Sequence, residues 1–101
     1  MTILQIKYVL TIKEYGSMNR AAEHLGISQP TLTSAVHELE KEIGIQIFLR
    51  THRGAVPTSE GEDFLQGAAQ LYRQYELLCE KYAGKENKRK SAYRLSTTLL
   101  Q

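Results

Sequence analysis

A chain of 101 residues suffices for one small domain, and a core of that size gains from a partner surface. The hydrophobic content of 42% is ordinary for a globular chain, no apolar run is long enough to span a bilayer, and the N-terminus lacks the basic-then-apolar layout of a signal peptide. The formal charge is only +2, with six acids and six bases through Gly61, so any reading as a polyanion binder must rest on where the charges sit.

Ile3, Ile6, Val9 and Leu10 fall at helical spacing and predict a first helix from about Thr2 to Tyr15, stopped by Gly16. Ser17 is placed to cap a short second helix. Its apolar stripe is Met18, Ala21, Ala22 and Leu25, and Gly26 ends it. Only Gly26, Ile27 and Ser28 separate it from a third helix. Ser28 can cap that helix, and Pro30 sits in its first turn, where a missing N–H costs nothing. Leu32, Val36, Leu39 and Ile43 form the inward stripe of the third helix, and Gly44 closes it. Two helices joined by a three-residue turn describe a helix-turn-helix.

Ile45 to Arg50 is rich in strand formers. After Thr51-His52-Arg53-Gly54 comes a second extended stretch, Ala55 to Thr58, with Pro57 marking it as an edge. The pair predicts a two-stranded ribbon whose basic tip carries Arg50, His52 and Arg53. Ser59 with Glu62 fits a capping box, opening a long helix to about Tyr82 that Gly84 closes. Lys85 to Ser91 reads as a basic hinge, and Tyr93 to Leu100 as the beginning of a strand that the chain does not complete. The fold class is mainly α: a winged helix-turn-helix of three helices and a two-stranded wing, followed by a long dimerisation helix. The divisions are 1–58 for the winged domain, 59–83 for the long helix, and 84–101 for a hinge and the start of a further domain.

The inward stripe of the third helix leaves Gln29, Pro30, Thr33, Ser34 and His37 on its other side. These are short or hydrogen-bonding groups that let a backbone approach a major groove, where Gln pairs bidentately with adenine and Thr or Ser meets base edges or phosphates. Glu38, Glu40 and Glu42 are confined to the C-terminal half, away from a groove. Taken alone, the same face is equally consistent with a merely solvated surface. The basic ribbon directly after it favours duplex DNA, because arginine there can neutralise a phosphate or enter a narrow minor groove.

The long helix carries Phe64, Ala68, Leu71, Tyr75, Leu78 and Tyr82 at alternating four- and three-residue spacing, the pattern of a coiled-coil seam. Leu65, Tyr72 and Cys79 widen it. Core packing accounts for its first turn or two. The rest calls for a partner, and an identical chain is the simplest one.

Catalysis is disfavoured. His24, His37 and His52 lack metal-ligand spacing, Cys79 is the only thiol, and there is neither a phosphate-cradling glycine loop nor a nucleophile–base–acid set. No metal, cofactor or catalytic residue is expected. The single cysteine also excludes an internal disulfide and fits a reducing cytoplasm. The rival from another class is a helical dimeric interaction module without DNA specificity.

The run Gly16 to Glu23, then Leu25, Ser28 to Thr33, Leu39-Glu40 and Gly44, resembles the N-terminal domain of LysR-type transcriptional regulators. So do Ile47 to Gly54, Pro57-Thr58 and Gly61, and the match is collinear from Met1 to about Tyr82. The resemblance implies a cytoplasmic bacterial regulator that homodimerises through the helix after the wing, the full-length protein being a homodimer or a higher oligomer such as a tetramer. A separate C-terminal domain would bind a small-molecule effector. It also implies that Gln29, Pro30, Thr33 and Ser34 face bases and that Arg53 is the wing-tip arginine. The candidate DNA contacts are Asn19, Arg20, Ser28, Gln29, Pro30, Thr31, Thr33, Ser34, His37, Arg50, Thr51, His52 and Arg53. Two positions depart from the pattern: many members carry arginine where Ser34 stands, and a small residue where His52 stands.

Overall fold

The computed structural model describes the backbone of residues 1–96 and the side chains of residues 1–83. Three helices come first: α1 (Ile3–Tyr15), α2 (Met18–Leu25) and α3 (Gln29–Ile43). Each starts at a hydroxyl cap. Thr2 accepts from the Gln5 amide while the Gln5 side chain accepts from the Thr2 amide, Ser17 accepts from Arg20, and Ser28 accepts from Thr31. Such caps satisfy amides that the first turn leaves without partners, each worth about 1 kcal/mol. The helices end at Gly16, Gly26 and Gly44, all in the left-handed conformation.

One core joins the three helices to the wing and the start of the last helix. Val9 and Ile12 of α1, Ala21 of α2, and Leu32, Val36 and Leu39 of α3 meet Ile47, Phe48 and Leu65 there. Burying aliphatic side chains of this size contributes about 1.5–3 kcal/mol apiece. The expected stripes of α2 and α3 are correct, with Leu25 and Ile43 at the half-buried margin. In α1 the buried set is Ile6, Val9, Thr11 and Ile12, whereas Ile3 and Leu10 are only half-buried. Thr11 can be buried because its hydroxyl donates back to the Lys7 carbonyl at 2.7 Å, so its polar atom has a partner without water.

The wing is an antiparallel pair, β1 (Phe48–Thr51) and β2 (Gly54–Pro57), with Phe48 opposite Pro57 and Thr51 opposite Gly54. β1 starts later than the sequence suggests. Ile47, just before it, is held by α3: the Glu40 carboxylate accepts from the Ile47 amide at 2.7 Å and also from the amide of Phe48, the first strand residue, at 3.3 Å. The wing is also tied to the α1–α2 turn: the Ala55 amide donates to the Gly16 carbonyl at 3.0 Å. Gly54 makes that approach possible. Its φ is 125°, and a Cβ there would strike the Gly16 carbonyl oxygen.

The last helix, α4, runs Ser59–Ser96. Its beginning corrects the sequence reading. The cap is Thr58, not Ser59 with Glu62: the Thr58 hydroxyl accepts from the Gly61 amide at 2.8 Å and donates to the Gln46 carbonyl. A cap one residue earlier lets the same hydroxyl fasten α4 to the segment leaving α3. Its end is a second correction. The helix passes through Gly84 and includes the region read as a hinge, and residues 93–96, assigned to a strand, are helical. A glycine inside a helix costs about 1 kcal/mol, and the Lys, Glu and Arg residues that follow are good helix formers, so Gly84 alone does not stop the chain. The remainder of the expected strand lies outside the described residues.

Candidate nucleic-acid interface

The N-terminal ends of α2 and α3 and the inner edge of the wing open onto one face. Between them is a hollow of about 270 Å³ lined by Ser17, Met18, Asn19, Gln29, Arg50, Thr51, Gly54 and Ala55. Asn19, Gln29, Arg50 and Thr51, four of the candidate contacts, therefore surround a single concavity. Pro30, Ser34 and His37 lie along α3 outside it, and His52 and Arg53 are exposed at the wing tip.

Several of these side chains are already engaged with each other. The Ser28 and Thr31 hydroxyls lie 2.7 Å apart, and the Ser28 oxygen also accepts from the Thr31 amide at 3.2 Å, so this pair shapes the first turn of α3. Thr51 organises the wing tip by donating to the Gly54 carbonyl at 3.3 Å and accepting from the Arg53 amide at 3.1 Å. The Arg20 guanidinium lies over the Tyr15 ring, 5.6 Å from its centroid, and the Tyr15 hydroxyl lies 2.9 Å from His24 Nδ1.

Arg50 requires a correction. It is not at the ribbon tip. It sits in β1 opposite Ala55 and its guanidinium donates to Thr33 Oγ1 of α3 at 3.2 Å. The same oxygen accepts from Gln29 Nε2 at 2.8 Å. The cause is strand alternation: Arg50 shares a face with Phe48, and Phe48 is buried in the core, so Arg50 is directed inward toward α3. The i, i+2 spacing of Phe48 and Arg50 is in the sequence, but the register that turns the pair inward is not.

The acids are held at the other end of α3. Glu40 serves the Ile47 and Phe48 amides, and Glu42 pairs with the N-terminal amine at 2.6 Å. Among the described residues, no group of three or more His, Cys, Asp or Glu is placed to hold a metal ion, and no helix is long and apolar enough to cross a membrane.

A second feature lies along α4. Of the nine residues assigned to its seam, Leu65 and Ala68 are buried in the domain itself, at 0% and 4% exposure, which takes Leu65 and all but the edge of Ala68 out of reach of a partner. Phe64 packs half-buried against the same core, and Tyr72 is half-buried. Beyond them Leu71, Tyr75, Leu78 and Tyr82 are exposed, as is Cys79. Leu77, which the seam pattern omits, is exposed too. The Cys79 side chain one turn on, through a hydrogen bond and its charge, raises the Tyr75 pKa above its ordinary value.

Three helices, a wing and a shared face at the start of the third helix define the winged helix-turn-helix class. The chain belongs to the lysR family of bacterial regulatory helix-turn-helix proteins: residues 3–62 match the family described as "Bacterial regulatory helix-turn-helix protein, lysR family". It is 44% identical over 71 residues to HTH-type transcriptional regulator TfdT of Cupriavidus pinatubonensis, covering 70% of this chain and 31% of that protein. It is 40% identical over 76 residues to the nitrogen assimilation regulatory protein nac of Escherichia coli, covering 75% of this chain and 25% of that one. The chain thus spans between a quarter and a third of the length of these curated relatives. Among solved structures, the BenM_DBD/catB site 1 DNA complex is similar with a TM-score of 0.79 and 30% identity, over 85% of this chain and 97% of that one. The CbnR_DBD–DNA complex is similar with a TM-score of 0.68 and 33% identity, over 91% and 97%.

Proposed function

We propose that this chain is the DNA-binding and dimerising part of a cytoplasmic transcription regulator that is not an enzyme. It binds duplex DNA sequence-specifically, with the N-terminal half of α3 in the major groove and the wing on the minor groove or backbone. Residues 1–58 form the reading domain, whose core the start of α4 completes, and residues 59–83 carry the contact between two copies, the full-length protein being a homodimer or a higher oligomer such as a tetramer. A small-molecule effector is the business of a further C-terminal domain. The observation that carries the DNA reading is the convergence of Asn19, Gln29 and Arg50 on one hollow, with no acidic residue among those lining it. Family membership and the two DNA complexes of similar chains support the same assignment.

Two substitutions test it by their contrast. Gln29→Ala should weaken specific binding by about 1–3 kcal/mol and relax the preference at one base pair per half-site, leaving non-specific binding nearly intact. Arg53→Ala should lower affinity across all sequences and reduce the salt slope by about one unit for each phosphate it no longer neutralises. Fluorescence anisotropy over a salt series measures both. Unchanged affinity and slope in Arg53→Ala at low salt would remove the wing from the interface. A uniform fall in affinity in Gln29→Ala, with preference kept, would make that residue a backbone contact.

A further inference from the structure

We propose that Thr33 is a positioning residue that sets the base preference of Gln29. The proposal rests on the DNA reading above and adds which base is read and what aims the amide. Arg50 has only donors, so Thr33 Oγ1 must act as the acceptor in their 3.2 Å contact. Gln29 Nε2 donates to the same oxygen at 2.8 Å. A hydroxyl oxygen has two acceptor positions, and here both are filled from within the protein. Thr33 therefore has no lone pair left for the amino group of adenine or cytosine.

The consequence falls on Gln29. An unrestrained glutamine amide presents its oxygen and nitrogen in either order. Here the nitrogen stands on the Thr33 side and donates to the hydroxyl oxygen. The Gln29 oxygen and its second N–H remain for a ligand, one acceptor beside one donor. Adenine offers the complementary pair in the major groove, the N6 amino group and N7, whereas guanine offers two acceptors. Arg50 donates to the same oxygen, so a strand of the wing helps to hold the hydroxyl that aims the amide. The base recognised at this position is adenine, and its selection depends on a hydroxyl that does not itself touch the base.

The test uses the whole chain and four duplexes that differ only at the base pair whose preference Gln29→Ala erases. The wild-type chain should favour adenine there. Thr33→Val removes the hydroxyl while keeping the shape, and should cut that preference about tenfold. Thr33→Ala, which adds no bulk, should do the same, and Thr33→Ser should restore it. In a Gln29→Ala background, Thr33→Val should no longer alter preference at this pair. An equal fall in affinity on all four duplexes, with preference retained, would make Thr33 a direct contact and overturn the proposal. Failure of Thr33→Ser to restore the preference would overturn it too. If the wild-type chain preferred no duplex sequence at all, the DNA reading itself would fall, and this proposal with it. A wild-type preference that survives both Thr33→Val and Thr33→Ala refutes only the positioning role.

Discussion

Leu65→Ala should destabilise the domain by about 2–5 kcal/mol, read as a lowered urea midpoint with a little-changed slope. Leu65 is fully buried in the core that also holds Val9, Ile12, Leu39 and Ile47, and the alanine would leave a cavity where α4 meets that core. Its position on the long helix makes the result diagnostic. If α4 served only to join two copies, truncating Leu65 would change association and leave the stability of the reading domain intact. A change below about 0.5 kcal/mol would mean that the start of α4 is not part of the core.

Leu71→Glu, less than two turns further on, should have the opposite effect. Leu71 is 47% exposed, and Tyr75 and Leu78 continue its stripe at 40% and 60%. Covering such side chains could contribute about 1.5–3 kcal/mol each, so the stripe favours association of two chains. A carboxylate in the middle of that contact would face apolar surface and, near a dyad, its own symmetry mate. The wild-type chain should sediment as a dimer at micromolar concentration and Leu71→Glu should shift toward monomer, with an unchanged helical circular dichroism spectrum. DNA affinity should fall in parallel, since two linked reading heads gain avidity that one lacks. A monomeric wild-type chain would refute this role for α4. A mutant that unfolds would place Leu71 in the core after all.

The contrast between Leu65 and Leu71 shows where sequence reading succeeds and where it stops. The 3.6-residue period identified a long amphipathic helix, and the alternating four-and-three spacing is present from Phe64 to Tyr82. Periodicity reports which residues share a face. It does not report what covers that face, and here the cover changes along the helix, from the domain's own core at Leu65 to an exposed surface at Leu71. The helix-turn-helix was legible because each signal is local: a hydroxyl cap, a short apolar stripe and a closing glycine recur for α2 and for α3. Glu40 was not legible, because its partners are backbone amides seven and eight residues away whose need for an acceptor depends on tertiary placement. Arg50 was legible in kind but not in place. Its charge marked the wing, yet only the strand register, fixed by the burial of Phe48 and Ala55, turns it from the tip toward Thr33. Gly84 was misread because a glycine signals a helix end only when the chain takes the left-handed turn there, and nothing in the next residues requires it to.

Equilibrium binding of the wild-type chain to its best duplex, chosen from a random library, and to a scrambled duplex of the same composition tests sequence-specific DNA binding most directly. The comparison is made across a salt series. The selected duplex should bind roughly a thousandfold more tightly near physiological salt, and both affinities should fall steeply as salt rises because phosphate contacts release counterions. Equal affinity for the two duplexes, or binding indifferent to salt, would contradict it.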